Sequence, residues 1–123
     1  KAKKKYFNFL VFISEDDKTI LEKREGKGIW QNLYQFPLIE TKSTLDYDSF
    51  LKLVKKHPYL DNKTFELRQY NDVPKVHKLS HQHLNTTFWI VKIDSIEKGI
   101  LFKNITEYPV SILIGKQEPI LDF

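Results

Sequence analysis

The chain has 123 residues, of which 41% are hydrophobic and 14% aromatic, which is typical of one globular domain and excludes a disordered segment. The absence of cysteine excludes disulfides, thiolate metal sites, iron–sulfur clusters and cysteine nucleophiles. Lysine and arginine number 20 against 16 acidic residues, and the resulting net charge of +4 is compatible with a nucleic-acid partner. Methionine is absent even at position 1, which predicts that the chain is a piece of a longer protein.

The first part of the chain predicts three strands. Residues 5–14 form a central strand because apolar side chains occupy both of its faces, and residues 1–4 are interpreted as a solvated linker end. Residues 19–24 are predicted to return as the hairpin partner of this strand, and residues 33–36 to form a short strand that stops at Pro37. The apolar run 7–13 is too short to cross a membrane, and no signal peptide is expected before it.

One helix is predicted next. Ser43, with Asp46 three residues later, has the spacing of a capping box, and Pro58 ends the segment. An apolar stripe at helical spacing is formed by Tyr47, Phe50, Leu51 and Val54.

The second half returns to strand patterns. Residues 65–70 alternate, residues 71–74 form a turn, residues 75–79 and 84–93 are predicted to pair antiparallel, and residues 100–102 form a short apolar piece. Tyr108 and Pro109 are predicted to begin a final helix that carries Val110, Leu113 and Ile114. The order β-β-β-α-β-β-β-α predicts an α+β domain with a mixed sheet flanked by helices.

Residues 77–84, H-K-L-S-H-Q-H-L, concentrate three histidines and a serine at a predicted strand–loop–strand junction, a place typical of ligand contacts. On a regular strand His77, His81 and His83 would share one face, as metal ligands do, but the segment offers no carboxylate and a loop breaks strict alternation. No metal site is therefore predicted. His77 is interpreted as a partly buried, hydrogen-bonded histidine and His81 as a phosphate or loop-bracing contact, whereas His83 is assigned no role.

Two motifs in this order resemble the C-terminal domain of MutY-type A/G-specific adenine DNA glycosylases. The first is K-G-I-W-Q-N-L-Y-Q-F-P at residues 27–37, and the second is H-x-L-S-H-x-x-L at residues 77–84, similar to the family's H-x-F-S/T-H-x-x-L. The closing Y-P-V-S-I-L-I is similar to the family's last helix. The resemblance implies a Nudix-like fold over residues 5–123, after a linker end at residues 1–4.

The resemblance also implies a role in base-excision repair. The family domain helps to recognise 8-oxoguanine opposite adenine, beside a helix-hairpin-helix catalytic domain that hydrolyses the adenine glycosidic bond. The implied partners are double-stranded DNA with that mispair and the N-terminal catalytic domain of the same protein, with no membrane contact. We expect a monomer in the bacterial cytoplasm, associated with the nucleoid. The fragment alone is expected to be inactive and to hold no cofactor, since any iron–sulfur cluster belongs to the catalytic domain.

The family's reading loop carries over to Leu79, Ser80 and His81. Leucine replaces the family's aromatic residue, so an apolar packing role is expected there. The possible DNA phosphate contacts flank the two motifs and are Arg24, Lys27, Lys75, Lys78 and His77. Trp30 and Trp89 have the chemistry to stack on bases, but core packing is the preferred interpretation for both.

Two other functions fit the same scaffold. One is a protein–protein interaction module that makes no contact with bases. The other is Nudix hydrolysis, which needs a helix carrying R-E-U-x-E-E-x-G-U so that carboxylates can hold magnesium. The helix here reads L-D-Y-D-S-F-L-K-L-V-K-K-H, with lysines where glutamates are required. Asp46 and Asp48 are better explained as charges in the first turns of a helix, which disfavours the hydrolase.

Overall fold

The computed structural model describes residues 2–25 and 31–110. The strands are β1 (Lys3–Ile13), β2 (Lys18–Thr19), β3 (Glu22–Lys23), β4 (Tyr34–Gln35), β5 (Leu38–Thr41), β6 (Phe65–Gln69), β7 (Lys75–Lys78), β8 (Gln82–Ile93) and β9 (Ile100–Leu101). The helix α1 (Tyr47–Val54) follows β5, and two 3-10 helices span Pro58–Leu60 and Phe102–Glu107. This mixed sheet with a helix packed on it confirms the α+β class.

The main sheet is built around β1 and β8, which run parallel in continuous register from Lys3 opposite Gln82 to Ile13 opposite Lys92. Its strand order is β5-β1-β8-β6, and β7 also pairs with β8. The position of β1 between β5 and β8 confirms the prediction of a central strand, since both of its edges are paired. Residues 7–12 of β1 are buried, because this part of the strand is covered by apolar side chains on both faces.

The predicted hairpin between β1 and residues 19–24 is wrong. β2 pairs with β9 and β3 pairs with β4, while both edges of β1 are taken by longer strands. In addition, β1 begins at Lys3, where residue 5 was expected. Lys3 and Lys4 belong to the segment that the sequence predicts to be a linker end. In the structure they are strand residues that lie opposite Gln82 and His83.

The N-cap of α1 is Asp46, where the sequence pattern predicted Ser43. The Asp46 carboxylate accepts a hydrogen bond from the backbone N–H of Ser49 at 2.8 Å, and this bond lowers the pKa of the carboxyl group. The carbonyl of Ser43 instead accepts from the Thr41 hydroxyl at 2.7 Å. Aspartate caps a helix as well as serine and adds a charge that the helix dipole favours, so the later residue serves as the cap.

Each face of the sheet has its own core. On the α1 face, Phe50 stacks on Trp89 with ring centres 4.1 Å apart, and both side chains are fully buried. The main members of this core are Leu10, Phe12, Phe50, Val54, Leu60, Leu67, Trp89, Val91, Ile93 and Ile96. The opposite core consists mainly of Phe7, Phe9, Val11, Phe36, Leu84, Phe88, Ile90, Phe102 and Ile105. Trp89 is thus a core residue, as the preferred interpretation held.

Three sequence predictions fall wholly or mostly outside the described residues: Lys27, Trp30, and the final helix beyond position 110. At the start of that predicted helix, Val110 forms a β-bridge with Tyr34. Neither α1 nor the 3-10 segments in the described ranges combine the length and hydropathy needed to span a bilayer.

A hydrogen-bonded cluster of Glu22, His57 and Tyr59 joins β3 to the first 3-10 helix. The Tyr59 hydroxyl donates to the Glu22 carboxylate, which raises the pKa of Tyr59 to about 12. The Tyr59 backbone N–H donates to Nδ1 of His57 at 3.2 Å. Burial lowers the pKa of His57 from its ordinary value of 6.5, although the nearby Glu22 charge opposes this effect. The fold therefore favours the neutral form of His57.

We expect His57 to make the domain less stable in acid. Because the pKa of His57 is lower in the folded than in the unfolded chain, the unfolded chain binds more protons as the pH falls below 6.5. The contribution of His57 is present above that value and is lost as the pH falls through the lowered pKa. In urea unfolding between pH 8 and pH 5, His57→Gln should therefore flatten the decline in the free energy of unfolding. Parallel curves for the two proteins would contradict this assignment.

Candidate nucleic-acid interface at the β7–β8 tip

The β7–β8 hairpin ends in a tight turn with Ser80 and His81 at its outermost point. The backbone N–H of Leu79 donates to the carbonyl of Gln82 at 2.7 Å and closes the turn. Ser80 and His81 are both exposed. The structure confirms the predicted antiparallel pair, and we call residues 79–82 the tip.

Bonds from neighbouring elements hold the tip in place. The backbone N–H of Lys3 in β1 donates to the carbonyl of His81 at 3.0 Å. Leu79 is half-buried and packs against the core on the face opposite α1. Backbone hydrogen bonds therefore join this turn to β7, β8 and β1, and Leu79 anchors it on the apolar core. Ser80 is exposed on this fixed turn. A rigid scaffold beneath an exposed loop is the arrangement that binding sites commonly use.

Asn71 bridges the gap between β6 and β7 along β8, a role that the sequence pattern did not reveal. β6 and β7 pair with the same edge of β8, and the side chain of Asn71 fills the gap between them. Its Oδ1 accepts from the backbone N–H of Phe88 at 2.7 Å. Its Nδ2 donates to the carbonyls of Thr86 and Val73, each at 3.0 Å. The only sequence signal for this role is an asparagine in a turn between two strand patterns.

Lys75 and His77, two of the predicted phosphate contacts, lie on the sheet face opposite α1. In the β7–β8 register, Lys75 lies opposite Thr86 and His77 opposite Leu84. Directly opposed residues point to the same face, and Leu84 belongs to the core on that face. His77 is half-buried, as expected, while Lys75 is exposed.

The other predicted phosphate contacts are placed differently. Arg24 lies over the face opposite α1, with its guanidinium carbon 5.9 Å from the ring centre of the core residue Phe7. Lys78 lies opposite His83 and shares its face, which is the α1 face. The structure therefore brings Arg24, Lys75 and His77 to one side of the sheet and places Lys78 on the other. Lys27 lies outside the described residues.

The three histidines of the 77–84 segment do not share a face. His77 and His83 point to opposite faces, and His81 lies in the turn between them. The tip interrupts the alternation that would align them on a regular strand. Within residues 2–25 and 31–110, no group of three or more histidine, aspartate or glutamate side chains is arranged to hold a metal ion.

Comparison with known families identifies the fold. The model of the NUDIX domain family matches residues 8–113. The chain belongs to the NUDIX domain family. Its structure is similar to that of the C-terminal domain of mouse MUTYH, solved in complex with human PCNA. The TM-score is 0.68 at 14% sequence identity, with 94% of this chain and 86% of that chain covered. A comparison with curated proteins found no match.

These comparisons confirm the Nudix-like fold that the two motifs implied, and they confirm the resemblance to the MutY-type C-terminal domain at the level of the fold. In this Nudix domain α1 carries a single carboxylate, Asp48, and the carboxylate of Asp46 is engaged as the N-cap. Lys52 lies in the last turn, with Lys55 and Lys56 directly after it. The helix therefore lacks the row of carboxylates that would hold magnesium at a pyrophosphate.

Proposed function

We propose that this Nudix domain is the non-catalytic, lesion-recognising part of an adenine DNA glycosylase and that its tip contacts 8-oxoguanine opposite adenine. The observation that carries the proposal is the position of Ser80. This serine is exposed at the outermost point of a turn that is bonded to both neighbouring strands. The hydrogen bonds that define the tip use backbone groups of Leu79, His81, Gln82 and Lys3 and do not engage the Ser80 hydroxyl.

The chemistry of the lesion suits a hydroxyl at this place. Guanine offers only acceptors, N7 and O6, along its major-groove edge. Oxidation at C8 adds a carbonyl oxygen and converts N7 from an acceptor into an N–H donor. A serine hydroxyl can accept a hydrogen bond from this new N–H. The same hydroxyl can also donate to N7 of undamaged guanine, so Ser80 contributes a modest preference and the backbone of the tip supplies the rest.

The positions of the cationic side chains near the tip also support the proposal. Phosphate contacts hold a protein in register on DNA, whereas contacts to base edges carry the discrimination. Lys75 and Lys78 point to opposite faces of the strand that leads into the tip, so this hairpin carries a cationic side chain on each face. The net charge of +4 adds a general attraction to the DNA backbone.

A second candidate function is a protein–protein interaction module. The observation that favours it is that the similar mouse domain was solved bound to another protein, human PCNA. On this alternative, Ser80 contacts no base, and substitution at the tip has no effect that depends on the lesion.

Replacing Ser80 with alanine separates the two functions. In the full-length glycosylase, Ser80→Ala should reduce the preference for adenine opposite 8-oxoguanine over adenine opposite guanine by about 5-fold at most, because one neutral hydrogen bond contributes about 1 kcal/mol and the hydroxyl can also donate to guanine. The measurement is kcat/KM for adenine release from the two duplexes. The matched control is Ser95→Ala, an exposed serine beyond the other end of β8. An equal effect on both substrates, or none, would favour the interaction module.

A further inference from the structure

His83 acquires neighbours in the structure that suggest a role for it. It lies opposite Lys78 of β7 on one side and opposite Lys4 of β1 on the other. Because directly opposed residues project to the same face, these three side chains form a line across three adjacent strands. We call Lys78, His83 and Lys4 the basic row. With neighbouring strands about 4.8 Å apart, the row spans roughly 10 Å.

The basic row is open to solvent and is not neutralised by its neighbours on the sheet. Lys4 and Lys78 are exposed, and His83 is half-buried. The adjacent line on the same face consists of Val76, Asn85 and Tyr6, which includes no carboxylate. Val76 is 54% exposed, so this part of the α1 face stays uncovered as far as β7.

The position of α1 explains why the row is accessible. Phe50 of α1 packs on Trp89, which lies six residues along β8 from His83. At about 3.3 Å per residue, the helix contact is roughly 20 Å from the row. The row instead adjoins the tip, since only Gln82 separates His83 from His81. The same sheet face is therefore a hydrophobic core at one end and a cationic surface at the other.

We propose that the basic row binds the phosphodiester backbone of the DNA strand whose base meets the tip. This inference rests on the proposed function, because it is the nucleotide at Ser80 that brings phosphates of the same strand within reach of Lys78 and Lys4. The row lies on paired strands, so its backbone is already ordered before DNA arrives. The basic row does not distinguish one base from another, because phosphates carry no sequence information. Its contribution is to fix the position of the lesion strand against the tip.

The test is the salt dependence with which the full-length protein binds two duplexes, one with guanine and one with 8-oxoguanine opposite adenine. Each phosphate contact adds about 0.9 to the slope of log affinity against log salt concentration. The double variant Lys4→Gln/Lys78→Gln should therefore reduce the magnitude of this negative slope by about 1.8, equally for duplexes with guanine and with 8-oxoguanine. Lys4→Arg/Lys78→Arg should restore the slope. His83→Lys, which adds a permanent charge at the centre of the row, should raise its magnitude by about 0.9.

The matched control is Lys92→Gln/Lys98→Gln, which removes one exposed charge at the other end of β8 and one in the loop that follows it, and should change the slope much less. Equal slopes for the row variant and this control would overturn the inference, as would a failure of the arginine pair to restore the slope. The outcome is distinguishable from failure of the proposed function. Ser80→Ala should change the preference for 8-oxoguanine and leave the salt dependence of binding unchanged. The row variants should change the salt dependence and leave that preference unchanged.

Discussion

Replacing Asn71 with alanine is expected to lower the free energy of unfolding by about 2–3 kcal/mol and to loosen the tip at the same time. The substitution removes the acceptor of the Phe88 N–H and the donor to two carbonyls. Phe88 is buried, so its N–H would be left without a partner, which alone costs about 1–3 kcal/mol. The measurement is urea unfolding, together with hydrogen exchange of the β7 and β8 amides. Faster exchange should be concentrated in residues 75–86, where β7 depends on this side chain for its register.

Asn71→Asp is the matched control, because it keeps the oxygen that accepts from Phe88 but loses the amide donor. We expect the Phe88 amide to exchange more slowly in Asn71→Asp than in Asn71→Ala, since this N–H keeps its partner, while the second carboxylate oxygen faces the carbonyls of Val73 and Thr86 and lowers the free energy of unfolding. If both variants unfold at the wild-type urea concentration, the side chain does not set the β7 register. In that case the position of Ser80 depends on the remaining β7–β8 ladder bonds alone.

Trp89→Ala is expected to have the largest effect on stability, about 3–5 kcal/mol. The indole is fully buried, stacks on Phe50 at 4.1 Å, and donates from Nε1 to Oδ1 of Asn8 at 3.1 Å. Removing it leaves a cavity between α1 and the sheet and an unsatisfied acceptor on Asn8. Because small domains are stable by only about 5–15 kcal/mol, this variant should be marginal at room temperature. Guanidinium unfolding followed by far-ultraviolet circular dichroism measures the loss without relying on tryptophan fluorescence.

Trp89→Phe separates packing from hydrogen bonding. It keeps an aromatic ring against Phe50 but removes the donor to Asn8, so we expect a loss of about 1–3 kcal/mol. A loss under 1 kcal/mol for Trp89→Ala would show that the ring is not part of the core. Stacking on a DNA base would then return as its explanation.

The parts of the fold that sequence patterns predicted are those that depend on local periodicity. β1 was predicted as central because its apolar residues alternate onto both faces, and the β7–β8 pair because two strand patterns flank a short polar segment. The partner of β1 was not predictable in the same way. Its longest contact is a parallel pairing with β8, some 80 residues away, and no local pattern encodes such a distance. A polar turn after residue 14 pointed instead to the nearest candidate strand.

In the candidate site too, the residues of the local motif were predictable, whereas the features that depend on strand register were not. Leu79, Ser80 and His81 stood out because they form a compact polar motif at a junction between strands. The separation of Lys78 from Lys75 and His77 depends on one-residue alternation within β7, which requires the exact extent of the strand. The basic row depends on two registers at once, those of β7 and β1 against β8. Without the register of β1 against β8, the sequence therefore indicates that Lys4 belongs to a solvated tail.

A double-mutant cycle between Ser80 and N7 of the lesion tests the central claim most directly. The full-length protein and its Ser80→Ala variant are each titrated with two duplexes, one with 8-oxoguanine and one with an analogue that keeps the C8 carbonyl but has carbon at position seven. If the hydroxyl accepts from the N7–H, the two changes should couple by about 1 kcal/mol, so that the roughly fivefold preference for 8-oxoguanine over the analogue disappears in Ser80→Ala. Additive losses, with the same preference in both proteins, would contradict the claim that Ser80 contacts the oxidised base.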